Sequence, residues 1–353
     1  MDIRCSGCGS PFPSRGIPHR CVDCGGLYEL GDTRPGVHVN GEPGIWCFPS
    51  LQKLHVEPVS LGEGGTPLLE ATAFGRTVYM KCEFANPTGS FKDRGMTALV
   101  SVMKDRGVRR AVEDSSGNAG ASFAAYAARA GIEAEVYVPV TASGSKIRQI
   151  AVHGAKIITV GGGRRKAAEA AEEAARGGRA YASHAASPFC LAGYRTCARE
   201  LADQLKGSPG SVIIPLGQGG LLLGLAGGFG ELLQEGAIRT VPRLVGVQSA
   251  ACAPFCQPAG SPTANPRPTV AEGVAVDQPL RAAAVRGAVA ASGGRFVSVE
   301  EDAIIPGRDG LAHLGFYVEP TSALVWDALR QVADDLADPI VLVLTGAGYK
   351  SPL

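Results

Sequence analysis

An α/β protein built on mostly parallel sheets, with a small cysteine-rich appendage in front, is what this sequence predicts. Three observations carry that reading. From about residue 56 onward, short runs of Val, Ile and Leu alternate with Ala-rich stretches of helical period, the pattern of successive βαβ units. The chain has 353 residues, enough for roughly two domains of about 150 residues each and an appendage; since one core rarely grows past about 250–300 residues, two sheets are expected rather than one. Four of the ten cysteines fall within the first 24 residues.

The appendage comes first in the chain. Cys5-x-x-Cys8, twelve residues, then Cys21-x-x-Cys24 form two knuckles whose spacing suits a tetrahedral zinc ion held by four thiolates, a structural site with no open position for water. Gly7, Gly9, Gly25 and Gly26 flank the knuckles and let backbone N–H groups turn toward sulfur. A pair of disulfides is the alternative, and a cytosolic redox poise disfavours it. The remaining cysteines (Cys47, Cys82, Cys190, Cys197, Cys252 and Cys256) have no such spacing and read as small apolar residues. Gly31–Gly44 reads as a linker.

Strands are expected at Val78–Glu83, Arg110–Asp114, Glu135–Val138, Lys156–Val160, Val212–Leu216, Leu244–Gln248 and Ile340–Leu344. Helices are expected at Asp93–Asp105, Asn118–Ala130, Lys146–Val152, Arg165–Arg176, Pro188–Leu205, Gly220–Leu233 and Thr321–Leu336. Cys252–Thr269, with five prolines and no period, reads as an irregular loop. The longest uncharged run, Ser211–Gly230, holds a proline, a glutamine and seven glycines, and so reads as strand, loop and helix rather than a membrane span. A net charge of +1, from 34 basic and 33 acidic residues, favours neither nucleic acid nor an anionic membrane as partner. The start, MDIRCSGC, has no basic segment leading into an apolar one, so no signal peptide and a cytoplasmic location are expected.

Ligands of such sheets bind at the carboxyl ends of strands. Four strand-to-helix turns stand out there. Asn86–Gly95 (NPTGSFKDRG) places Lys92 near a helix start, where the helix dipole disfavours a further cation and so favours the neutral amine that Schiff-base chemistry needs, with Phe91 shielding one side. Taken alone, residue chemistry favours an ordinary surface lysine paired with Asp93. Asp114–Ser122 (DSSGNAGAS) gathers hydroxyls, an amide and helix-start N–H groups, an anion site suited to a carboxylate, or else a helix capped by Ser115 or Ser116. Leu216–Leu221 (LGQGGL) could curl backbone N–H groups around a phosphate, or be only a tight crossover; it lacks the Lys-Ser/Thr ending of a nucleotide loop. Leu344–Tyr349 (LTGAGY) brings Thr345 to the end of the last strand, or is a C-terminal turn without a role.

Together these segments resemble the fold-type II pyridoxal-phosphate enzymes, and most closely the threonine synthase family. The resemblance runs from about Val59 to the C-terminus through Gly62–Leu68, NPTGSFKDRGM, SSGNAGAS, His153–Ile158, Tyr317–Ser322 and LTGAG. It implies two doubly wound domains of the tryptophan synthase β-like kind behind the zinc ribbon: 1–40 the ribbon, 41–95 with 205–353 the large cofactor domain, and 96–204 a small mobile domain. It implies pyridoxal 5'-phosphate as cofactor, bound covalently by Lys92, with Phe91 beside it. Asn118 would meet the ring hydroxyl, Gly217, Gln218, Gly219 and Gly220 the phosphate, and Thr345 the ring nitrogen. A hydroxyl at that nitrogen makes a weaker electron sink than an Asp would, which suits elimination and replacement at Cβ or Cγ better than transamination. The substrate carboxylate would dock on Ser115, Ser116, Gly117 and Ala119, and freed Lys92 would shuttle protons at Cα and Cβ. A small amino-acid substrate and a homodimer are implied as well.

The sequence departs from the family in one segment. Where typical threonine synthases read Asn-Ser-Val-Asn-Pro-x-Arg, this chain has His184, Ala185 and Cys190 at the Asn, Ser and Arg that help hold substrate phosphate. Lys146, Arg148 or Arg195 could take over that charge. His184 is either a substrate residue or a packing histidine. O-phosphohomoserine to threonine is the default reaction. A cysteine- or cysteate-type β-replacement and a Ser/Thr deaminating lyase are the alternatives.

Overall fold

The computed structural model describes residues 1–31, 44–142, 144–258, 260 and 267–351. The expected linker Gly31–Gly44 and irregular loop Cys252–Thr269 lie partly outside these residues. In chain order the strands are β1 (Ile3–Cys5), β2 (Tyr28–Leu30), β3 (Leu68–Ala73), β4 (Arg76–Lys81), β5 (Arg110–Glu113), β6 (Glu133–Pro139), β7 (Lys156–Val160), β8 (Ala180–Tyr181), β9 (Ser211–Pro215), β10 (Arg243–Ser249), β11 (Arg295–Val299) and β12 (Ile340–Val343). The α-helices are α1 (Pro49–Gln52), α2 (Lys92–Asp105), α3 (Asn118–Ala130), α4 (Ser145–Val152), α5 (Arg164–Arg176), α6 (Pro188–Leu205), α7 (Gly220–Gln234), α8 (Ala282–Ala291), α9 (Glu301–His313) and α10 (Pro320–Val332).

Each expected strand and helix is present, with small shifts at the ends. The last helix is the exception: α10 stops at Val332 and a 3-10 turn, Ala333–Asp335, follows. Asp334 and Asp335 would put negative charge on the negative end of the helix dipole, which opposes a longer helix. Elements beyond those expected are β1, β2, β3, β8, β11, α1, α8 and α9. β3 (LLEATA) has no apolar run and forms only as the antiparallel partner of β4. Pro306 interrupts the helical pattern of α9 but is tolerated inside it.

The chain divides into two compact units, Met1–Gly64 with Asn86–Thr196, and Gly65–Ala85 with Cys197–Leu353. In the first, β1 and β2 pair antiparallel, and a separate parallel sheet has the order β7-β6-β5-β8. The chain runs outward from β5 through β6 to β7 and returns to β8 on the other side. The carboxyl ends of β5 and β8 are therefore where strand order reverses, the usual place for a ligand. Alanines along α3 give it a thin profile, and its Phe123 and Tyr126 are fully buried.

In the second unit the sheet order is β11-β10-β9-β12-β4-β3, parallel except for β3. Strands β9 (SVIIP) and β12 (IVLV) are buried throughout, as expected for a parallel sheet covered on both faces. Leu324, Val325 and Leu329 of α10 share one core with Val78, Met80, Ile213 and Leu342. Order reverses between β9 and β12, so the turns after those two strands hold the equivalent position here. A fully buried lysine lies in this unit: Lys81 Nζ donates to Glu200 Oε2 at 2.8 Å, Thr66 O at 2.9 Å and Gln204 Oε1 at 2.9 Å, which uses all three ammonium protons. Among the described residues no helix is long and apolar enough to cross a membrane. The uncharged run Ser211–Gly230 is β9, its turn and the start of α7.

Candidate active site

In the first unit, Lys92 is the first residue of α2, and its Nζ lies 4.7 Å from the Phe91 ring centroid. The helix start has no side-chain cap and is instead tied by Asp93. That carboxylate accepts from Thr88 N at 2.7 Å, Thr88 Oγ1 at 2.6 Å and Ser122 Oγ at 2.6 Å, the last fixing α2 to α3. Arg94 reaches Thr196 Oγ1 at 3.1 Å. Phe91 packs on Tyr194 at 5.3 Å between ring centroids.

The Asp114–Asn118 turn leaves β5 and opens α3, whose N-cap is Gly117 without a side-chain bond. The serine cap weighed as an alternative does not form. Ser115 Oγ accepts instead from Gly117 N at 3.1 Å, within the turn. Ser115 N–H is also engaged, donating to Glu113 Oε2. The backbone N–H groups of Ser116 and Ala119 and the Asn118 side chain lie at the helix start.

His184 follows β8, and its Nδ1 lies 2.7 Å from Glu113 Oε1. The Glu113 side chain is fully buried, while that of His184 keeps 18% of its surface. Burial pushes Glu113 up to about 7 and holds His184 down at about 3, with Lys92 adding to the depression. Arg195, a candidate for holding substrate phosphate, spends its guanidinium on Leu30 O at 3.2 Å and Gly31 O at 3.3 Å, tying the end of β2 to α6.

In the second unit, the turn after β9 has its glycines in close quarters. A Cβ on Gly217 would lie 2.7 Å from Gly273 O, and one on Gly219 would lie 2.3 Å from Val285 Cγ2. Gly219 also has φ +85°, a conformation that side chains other than glycine rarely adopt. Gln218 Oε1 accepts from Leu280 N at 3.1 Å and so anchors the turn. Gly220 starts α7, which has no side-chain cap, so helix-start N–H groups face the turn. A phosphate fits this donor set and this bare backbone. After β12, buried Thr345 lies 3.0 Å from Ser322 Oγ, whose oxygen also accepts from Gly346 N at 2.9 Å. Ser322 Oγ also lies 3.2 Å from Gly346 O, to which it donates, so Ser322 and the Gly346 backbone together fix the Thr345 hydroxyl at the end of β12.

The four N-terminal cysteines come together as expected from their spacing. Cys5 and Cys24 Sγ are 3.4 Å apart, and Cys8 and Cys21 Sγ 3.6 Å. All ligand atoms of the four lie within 4.8 Å of one another. A disulfide would need about 2.05 Å, whereas thiolates around a tetrahedral ion at about 2.3 Å sit roughly 3.8 Å apart. None of the ten cysteines, all among the described residues, is joined in a disulfide. The group could therefore hold a metal ion.

Three contributors went unseen in the sequence. Glu113 read only as the polar end of a strand. Gly273 is brought to the glycine turn by its close backbone approach, and its N–H donates to Thr321 Oγ1 at 3.0 Å. Ser322 was noted within a motif but not as the partner of Thr345.

The family profile described as pyridoxal-phosphate dependent enzyme matches residues 59–346. The chain belongs to that family of enzymes, and within it is threonine synthase-like. The threonine synthase of Methanosarcina acetivorans is 30% identical over 99% of this chain and 92% of its own length. That of Methanocaldococcus jannaschii is 34% identical over 99% of this chain and 93% of its own. Among solved structures, a threonine deaminase from T.th. has a TM-score of 0.71 at 26% identity, covering 84% of this chain and 97% of that one. Maize serine racemase has a TM-score of 0.73 at 21% identity over 87% and 94%, a likeness of fold.

Proposed function

We propose that this enzyme converts O-phosphohomoserine to threonine and phosphate. The observation that carries the reading is kinship with threonine synthases along nearly the whole chain, with Lys92 at the start of α2 and the Ser115–Asn118 turn at the start of α3. Pyridoxal 5'-phosphate, when bound, supplies the electron sink for bond breaking at Cα and Cβ. Lys92 holds its aldehyde and, once freed, moves protons at Cα and Cβ. Phe91 shields the amine, Asn118 meets the ring hydroxyl, Gly217, Gln218, Gly219 and Gly220 hold the phosphate, and Thr345, set by Ser322, meets the ring nitrogen. Ser116, Gly117 and Ala119 bind the substrate carboxylate, and Ser115 shapes their turn. We retain the division into 1–40, 41–95 with 205–353, and 96–204, the last closing on substrate.

A second reading, β-replacement or Ser/Thr deamination, is favoured by His184 beside a buried carboxyl where the family carries an Asn for substrate phosphate. Turnover of O-phosphohomoserine, O-phosphoserine, O-acetylserine and threonine, measured side by side, separates the two. The proposal expects O-phosphohomoserine to exceed the others by at least about 100-fold in kcat/KM, the discrimination one methylene can supply and less than a site built around a polar group achieves. Preference for any of the other three contradicts it.

Cys5, Cys8, Cys21 and Cys24 hold a structural zinc ion in this proposal, and the enzyme is a cytoplasmic homodimer. Chelation is expected to release one zinc per chain and lower the melting temperature while leaving the cofactor's visible absorbance unchanged, because four thiolates leave no catalytic position. A cofactor spectrum that collapses with the metal would give the ribbon a different role.

A further inference from the structure

Glu113 and His184 are joined by strand order rather than by sequence. β5 and β8 are adjacent and parallel, with Val112 opposite Tyr181, so the residues that follow both strands emerge at one edge of the sheet. Glu113 closes β5 fully buried. One of its oxygens accepts from Ser115 N–H, in the turn proposed for the substrate carboxylate, and the other is 2.7 Å from His184 Nδ1. With Nδ1 engaged, Nε2 is the ring nitrogen left to act, on a side chain that keeps partial exposure.

We propose that Glu113 and His184 work as one carboxylate–imidazole base, Glu113 positioning the ring and His184 Nε2 taking the proton of the water that adds at Cβ. The proposal rests on the reaction given above. Phosphate leaves Cγ as Cβ gives up a proton, and transfer of the Cα proton to Cγ then leaves the substrate carbon chain α,β-unsaturated with a methyl end. The water oxygen bonds to Cβ, its O–H bond breaks, the electron pair of the double bond moves toward Cα, and the proton goes to Nε2. Lys92 then returns a proton to Cα. As Nε2 gains its proton, the Nδ1 proton passes to Glu113, so the ring stays neutral.

The electrostatics agree with that movement. Burial disfavours charge on both partners, raising Glu113 to about 7 and lowering His184 to about 3. The proton the pair takes up therefore rests on the carboxyl. The charged and titratable groups around the pair are Lys92 of α2, Asp114 beyond β5, Tyr181 of β8, Arg164 of α5 and Tyr194 of α6. A neutral ring backed by a carboxyl suits a water molecule better than a phosphate dianion.

The test follows two products of O-phosphohomoserine separately. In Glu113→Gln and His184→Gln, threonine formation is expected to fall about 100-fold while phosphate release falls no more than about threefold, the carbon chain leaving as a 2-oxo acid. Threonine formation by the unsubstituted enzyme is expected to rise about tenfold per pH unit up to about pH 7, where Glu113 loses its proton, and this limb should vanish in Glu113→Gln. Equal loss of both products, or an unchanged pH limb, overturns the proposal. Absence of any turnover of O-phosphohomoserine by the unsubstituted enzyme overturns the proposed reaction instead. The pair is then read by nitrogen-15 NMR of histidine-labelled enzyme, the His184 signals being those lost in His184→Gln. A neutral ring whose proton moves from Nδ1 to Nε2 as pH falls through about 7 supports the pair, and an imidazolium forming near pH 6.5 overturns it.

Discussion

Lys92→Ala is expected to abolish the visible absorbance of the bound cofactor and to lower kcat/KM by at least about 1,000-fold, since both the attachment and the proton shuttle are lost. The fold should survive. The start of α2 is held by Asp93 through Thr88 and Ser122, and none of those bonds involves the Lys92 side chain. Circular dichroism should therefore match the unsubstituted enzyme, and melting should match that enzyme freed of cofactor, while activity does not return. Lys92→Arg is the informative companion. It keeps the positive charge at the same position, but a guanidinium never becomes a neutral nucleophile at ordinary pH. Arginine is thus expected to be as inactive as alanine. Partial activity in Lys92→Arg would mean that charge, not amine chemistry, is what the position supplies.

Gly120→Ala is expected to be among the most damaging single-methyl changes near the candidate site. A Cβ there would lie 1.9 Å from Ser115 O and 3.1 Å from Ile150 Cδ1. Backbone cannot swing aside as a flexible side chain can, so the Ser115–Asn118 turn must move off the first turn of α3. Overpacking of this kind costs about 3 kcal/mol, which lowers the melting temperature by roughly 6–12 °C for a domain of this size. The turn also carries the proposed carboxylate donors, and a misplacement of about 1 Å costs roughly 100-fold in rate. Gly230→Ala in α7 is the control, since a Cβ there meets nothing within 4 Å. It should stabilise the helix by about 0.5–1 kcal/mol and leave activity alone. Equal effects of the two substitutions would show that the close approach at Gly120 does not constrain the turn.

How much of this was legible in the sequence follows from how far apart the interacting residues stand. Lys92, the Ser115–Asn118 turn and the 217–220 turn were visible because each is a local pattern at the end of a strand. The four cysteines were visible for the same reason. Glu113 was not, because its partner His184 is 71 residues away and only the β5–β8 pairing joins them. Ser322 meets Thr345 across 23 residues, after β12 has entered the sheet beside β9 and β4. Arg195 looked like a phosphate ligand by charge alone, and the carbonyls at the end of β2 claim it instead. The serine cap of α3 was the natural expectation from propensity, and the buried Glu113 draws Ser115 N–H into a different turn.

Borohydride reduction of the enzyme prepared with pyridoxal 5'-phosphate, followed by peptide mass analysis, addresses the central claim most directly. The account predicts one reduced cofactor per chain, on the peptide that contains Lys92 and nowhere else. A cofactor fixed to another lysine, or none fixed at all in a folded protein, would contradict it.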